Sequence, residues 1–188
     1  RFGEMTKTDR YVECSAAGMK YRLIPVTDEI IRCMIAKDEV KTEQESLIIE
    51  KKEYPQVPFE AAEADGAVTV KTSAVQAELN LKTGGITWKH ADGSVWLEQN
   101  KADLTRIDVV HYNTGGEKPI INRVKTVDGE RNFIQNLKAE KIRDGYRARV
   151  FFDWKEDEEI HGLGQAEEGI YNYREHTQYL YQHNMRIP

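Results

Sequence analysis

The residues best suited to chemistry crowd the stretch from Ile160 to Pro188. Neutral amides (Gln165, Asn172, Gln178, Gln182, Asn184) stand among Tyr171, Tyr173, Tyr179 and Tyr181. Amides donate and accept hydrogen bonds without charge, and aromatic faces stack on the apolar C–H faces of a pyranose. The mixture suits a polyhydroxylated ligand. It equally suits a tyrosine-rich strand pair on the edge of a sandwich, and composition alone does not separate the two. Gly162 and Gly164 flank Leu163 and permit backbone angles or close approaches that a side chain would block. The sequence stops on Ile187-Pro188, which reads as an extended segment entering something further.

Other candidates carry less. Glu156-Asp157-Glu158-Glu159 supplies carboxylates, and glycoside hydrolysis needs two of them across a sugar. Four consecutive acids in a polar stretch read as a solvated loop, with no apolar pocket to raise a pKa. His161, His176 and His183 lack the one-element spacing of a zinc site. Cys14 and Cys33 sit in strand-like runs. A bond between them would close a loop of about 20 residues and contribute roughly 3 kcal/mol, but two buried reduced thiols are the favoured reading. Neither cysteine belongs to a Cys-x-x-Cys pair, and no Gly-x-Ser-x-Gly elbow occurs. Trp88, Trp96, Tyr112, Tyr146 and Trp154 could form an aromatic platform for a sugar ring. For Trp88 and Trp96, on opposite arms of one expected hairpin, cross-strand core packing is the stronger expectation.

These residues must be carried by strands. Val75, Ala77, Leu79 and Leu81 alternate with polar neighbours, and Thr83-Gly84-Gly85 then leads to Ile86–Lys89, the pattern of a hairpin. Asp92-Gly93 and Asp128-Gly129 are two more turn signals. The second lies between runs at 123–127 and 133–138. Earlier strands are expected at 11–16, 20–25, 29–36, 46–51 and 67–72, and a later alternation covers 146–153. Glu60–Gly66 reads as a small acidic linker, and Asn113–Pro119 as a loop whose Gly115-Gly116 has no phosphate-cradle context. No window carries a helical stripe. The sum is an all-β antiparallel β-sandwich with few or no helices, a single domain over 1–188 with a junction segment at 160–188.

The chain has 188 residues, enough for one sizeable core, and its 39% hydrophobic content is too high for general disorder. A net charge of -5 offers no surplus of cations to displace phosphate counterions, so nucleic acid is not expected as a partner. No apolar run is long enough for a membrane span. No cofactor or metal is expected. Arg1–Met5 shows no signal-peptide pattern and gives no compartment.

The terminal stretch resembles the N-terminal domain of glycoside hydrolase family 31. There a β-sandwich precedes a (β/α)8 catalytic barrel, and the junction carries a Tyr-Gly-Leu-Gly-Gln/Glu motif. His161-Gly162-Leu163-Gly164-Gln165 is similar, with His in place of Tyr. Glu168–Asn172 looks like the family's following loop, and Leu180–Met185 with Ile187-Pro188 looks like its run into the barrel. Thr72–Leu97 and Val26–Arg32 resemble the upstream hairpins more weakly. The resemblance implies a galactose mutarotase-like supersandwich. It also implies a parent enzyme that is a retaining α-glycosidase with two catalytic aspartates, both on a barrel these residues do not include. No catalytic residue is therefore assigned, and the fragment alone is expected to be inactive. The carry-over is one pocket wall, Gln182, Asn184 and Met185. Asn184 is the best sugar contact, because Arg186 stands where some members have Asp. The implied partners are an α-linked oligosaccharide and the barrel of the same polypeptide. Two readings compete: an independent carbohydrate-binding module, and a sandwich used for protein contact through Leu163, Tyr179 and Ile187.

Overall fold

Tight turns of Ala17-Gly18 and Asp65-Gly66, with φ of 49° and 73° and of 51° and 77°, reverse the chain between strands. Two successive positive φ values match the right-handed twist of the strands they join, which is why small or Asp-Gly pairs occupy them. The computed structural model describes residues 5–40, 54–127, 129–163 and 169–180. Every regular element among these is a strand: β1 (Thr6–Lys7), β2 (Val12–Ala16), β3 (Met19–Thr27), β4 (Ile30–Ala36), β5 (Glu60–Ala64), β6 (Ala67–Lys71), β7 (Val75–Asn80), β8 (Ile86–His90), β9 (Val95–Asn113), β10 (Ile121–Thr126), β11 (Gly129–Ile134) and β12 (Lys138–Phe152). The chain divides into two compact units, Arg1–Phe152 and Asp153–Pro188.

The first unit is an antiparallel β-sandwich. One sheet has the order β1-β2-β3-β4, the other β12-β9-β8-β7-β6-β5, and β10-β11 forms a separate ribbon. Alternation places Val12, Cys14 and Ala16 of β2 and Met19, Tyr21 and Leu23 of β3 on one inner face. Val68 and Val70 of β6, Ala77 and Leu79 of β7, and Ile86 of β8 lie on the other. All of them are buried, and together they make one core.

Polar pins tie the sheets at both ends. Tyr21 is fully buried, and its hydroxyl donates to the Gly84 carbonyl at 3.0 Å. Nearby, the Ala17 N–H donates to the Leu81 carbonyl at 3.0 Å. At the other end the buried Thr72 hydroxyl lies 2.5 Å from the Asp28 carbonyl and accepts the Val75 N–H at 3.1 Å. A buried hydroxyl without such partners would be costly, so each pin also selects the sheet pairing.

Several expectations change. Glu60–Ala64 is a strand and not a linker. Ala and Glu have low strand propensity, but pairing with β6 from Glu60↔Lys71 to Ala64↔Ala67 supplies the ladder that propensity did not. The strand containing Val95-Trp96-Leu97 continues to Asn113. Trp88 does not face Trp96. Trp88 pairs with Leu97 and Lys89 with Val95, so Trp96 is the extra residue of a β-bulge. Cys14 and Cys33 are free, and they lie on β2 and β4 with β3 between them. Two strand spacings are about 9.5 Å, too far for a disulfide. Burial above all pushes the thiols up, Cys14 to about 11 with Glu63 and Glu13 adding to it and Cys33 to about 12, so both are inert at neutral pH. The expected strand at 46–51 lies outside the described residues.

Candidate functional site

The terminal stretch belongs to the second unit, where its polar side chains are spent on holding the loop. Asn172 uses its Oδ1 to accept the N–H of Ile160 at 3.3 Å and of Arg174 at 3.0 Å. The Tyr173 N–H donates to the Ile160 carbonyl at 2.9 Å, and the Tyr173 side chain is buried. The segment beginning at Ile160 thus runs beside Tyr171–Tyr173. Gly162 follows at φ 70°, with open space where a Cβ would stand. Its requirement is the backbone angle and not a close contact. Leu163 is half-buried.

His161 closes this loop. Its Nδ1 lies 2.7 Å from the Tyr171 carbonyl and its Nε2 2.9 Å from a Glu159 carboxylate oxygen. Its ring also tilts against Tyr171 at 4.4 Å between centroids. Two acceptors on two ring nitrogens favour the imidazolium, which alone donates from both. The Tyr171 carbonyl first, and Glu159 after it, raise the pKa above its ordinary 6.5. A raised folded-state pKa means that the clasp contributes fully below the unfolded value. Its contribution is lost as pH rises through the folded one. Following the imidazole carbon shifts by NMR should show His161 titrating above 6.5 and the Tyr171 amide region loosening at the alkaline end. His161→Gln should remove that pH dependence.

Arg174 is the residue the sequence reading missed. Its Nη1 faces the carbonyls of Lys155, Glu156 and Glu158 at 2.9, 2.9 and 2.8 Å, and its guanidinium lies 5.7 Å from the Trp154 ring centroid. The acidic run is therefore organised through its backbone by one cation. An arginine in sequence reach of four acids was a visible signal, but it pointed to the carboxylates and not to the carbonyls.

The remaining candidates disperse. Trp88 packs against the core. Trp96 stays half exposed and stacks on His90 at 5.9 Å. Tyr112 lies far along β9 from Trp96, up to about 50 Å of strand. Tyr146 is held by Arg106, whose Nη2 donates to its hydroxyl at 3.3 Å. Trp154 belongs to the second unit. The four rings of the first unit form no common platform. Of the contact surface expected at Leu163, Tyr179 and Ile187, Tyr179 is exposed, while Ile187 lies outside the described residues. So do Gly164 and Gln165 of the junction motif, and Gln182, Asn184 and Met185 of the pocket wall.

No protein-family model matches the chain. Among solved structures, the chain resembles a GH31 α-xylosidase from Xanthomonas citri, with a TM-score of 0.59 and 20% identity over 89% of this chain. The matched part is 15% of that protein, so the chain spans a small fraction of its length. At that identity the likeness is one of fold: these residues are built as a β-sandwich like one found within a family 31 enzyme.

Proposed function

We propose that the chain is the N-terminal, non-catalytic β-sandwich of a family 31 α-glycosidase, an enzyme that hydrolyses α-linked glycosides. In this reading the sandwich packs on the catalytic barrel of the same polypeptide. The segment after Leu180 shapes the substrate pocket, with Asn184 as the main sugar contact beside Gln182 and Met185. The observation that carries the proposal is the fold likeness to the α-xylosidase, in which a sandwich of this kind makes up 15% of a much longer chain. The junction motif from His161 to Gln165 supports it from the sequence side. No catalytic part is assigned to Glu156–Glu159: the Glu158 carboxylate accepts the Lys155 N–H and that of Glu159 lies against His161.

The chain alone should release no chromophore from aryl α-glucosides or α-xylosides, and measurable turnover would overturn the reading. Reading the coding sequence downstream of Pro188 is the second test. A barrel bearing an aspartate motif supports the proposal, and an immediate stop refutes it.

One observation favours a second reading, an independent carbohydrate-binding module. The half-exposed Trp96 ring is braced on His90, as a stacking platform for a sugar would be. Calorimetric titration with gluco- and xylo-oligosaccharides decides it. Heat that disappears in Trp96→Ala supports the module, and absence of heat removes it.

A further inference from the structure

The outer edge of β12 ends the larger sheet and has no strand partner among the described residues. Its N–H and C=O groups form an open template for another strand. Residue types alternate along it with the strand period. Arg143, Gly145, Arg147, Arg149 and Phe151 stand on one side, and Asp144, Tyr146, Ala148, Val150 and Phe152 on the other. The register with β9 pairs Val150 with Ala102 and Ala148 with Leu104. Ala102 is buried and Leu104 packs on the core, so the apolar row lies on the core-facing side. Even so, Tyr146, Val150 and Phe152 are 43%, 50% and 48% exposed.

The arginine row is under-neutralised. Arg149 is paired with Asp103. Arg143 and Arg147, both exposed, form no ion pair with a described residue. A strand added to this edge would meet the unpaired cations Arg143 and Arg147, on either side of Gly145, on one face and the apolar surface from Tyr146 to Phe152 on the other. A second copy of β12 paired antiparallel about Gly145 would set Arg143 opposite Arg147, which like charge disfavours. A strand in which acids alternate with apolar residues satisfies both rows, while the main chains supply the hydrogen bonds.

We propose that the edge of β12 is a strand-addition site for an extended segment of another protein in which Asp or Glu alternates with Val, Ile or Phe. The site stands on residues of the first unit alone and does not depend on the family reading. It is tested on the whole chain with three short labelled peptides: one alternating Glu and Val, one of the same composition in scrambled order, and one alternating Lys and Val. The Glu/Val peptide should bind and slow hydrogen exchange at the β12 amides. Arg147→Glu, at an exposed site, should retain the fold by urea titration. It should weaken binding about tenfold, the effect of roughly 1.4 kcal/mol. Salt at about 0.5 M should also weaken binding. Equal binding of the scrambled or Lys/Val peptide overturns the proposal, as does unchanged exchange on β12. So does sedimentation showing that the chain dimerises through this edge and thereby protects it.

Discussion

Replacing Tyr21 by Ala should cost about 4 kcal/mol of unfolding free energy, the largest loss expected from any single core position. The ring is fully buried on β3, where Tyr21 pairs with Cys14 of β2, and its hydroxyl end lies against Gly84. Truncation leaves a cavity that two hydrogen-bonded sheets cannot close, and it removes the pin to the Gly84 carbonyl. For a domain whose whole stability is about 5–15 kcal/mol, much of the chain would then be unfolded under mild denaturant. Tyr21→Phe separates the two contributions. It keeps the ring and leaves the Gly84 carbonyl unpaired, so it should cost about 1–2 kcal/mol. Urea midpoints at constant slope measure both losses. A Tyr21→Ala midpoint close to that of Tyr21→Phe would show that packing between the sheets is not what holds this fold.

Gly85→Val should be nearly as damaging, for the opposite reason. Gly85 is buried at the entry to β8, where the backbone of β9 passes across it. A Cβ there would collide with the carbonyl oxygens of Gln99 and Asn100, which are main-chain atoms and cannot swing away. The ladder between β8 and β9 would have to open, at a cost of about 3 kcal/mol. Gly93→Ala is the control. Nothing lies within 4 Å of its Cβ position, and its φ of 88° is the only obstacle. Its cost should be about 1 kcal/mol. Equal midpoints for Gly85→Val and Gly93→Ala would mean that backbone angle, and not close approach, explains both glycines.

These two sites also show what pattern reading can reach. The alternation of Val75, Ala77 and Leu79, and the Thr83-Gly84-Gly85 turn after it, were visible because strand period and turn chemistry are local properties. The same holds for the strands on either side of Ala17-Gly18, since neither needs a distant partner to be recognised. That Gly84 lies under a tyrosine from 63 residues earlier is not local, and no periodicity announces it.

The candidate site divides in the same way. Amides and tyrosines between Ile160 and Leu180 were legible as polar and aromatic residues in a loop. Which of them face outward was not. Asn172 and Tyr173 are turned inward to hold the chain, whereas Tyr171 and Tyr179 are exposed. Arg174 gained its role only because folding brings three carbonyls to one guanidinium.

By itself, then, the sequence determined an antiparallel all-β chain, most of its turns and the faces of its central strands. Those follow from side-chain period and from backbone angles available to glycine, asparagine and aspartate. Tertiary structure decided the rest. Pairing with β6 made a strand of the Ala- and Glu-rich β5, and a bulge separated Trp96 from Trp88. The interposed β3 kept Cys14 and Cys33 apart. Each of these depends on which strand lies beside which. That choice is made by the burial of the whole core and by the few buried polar groups that only one pairing satisfies.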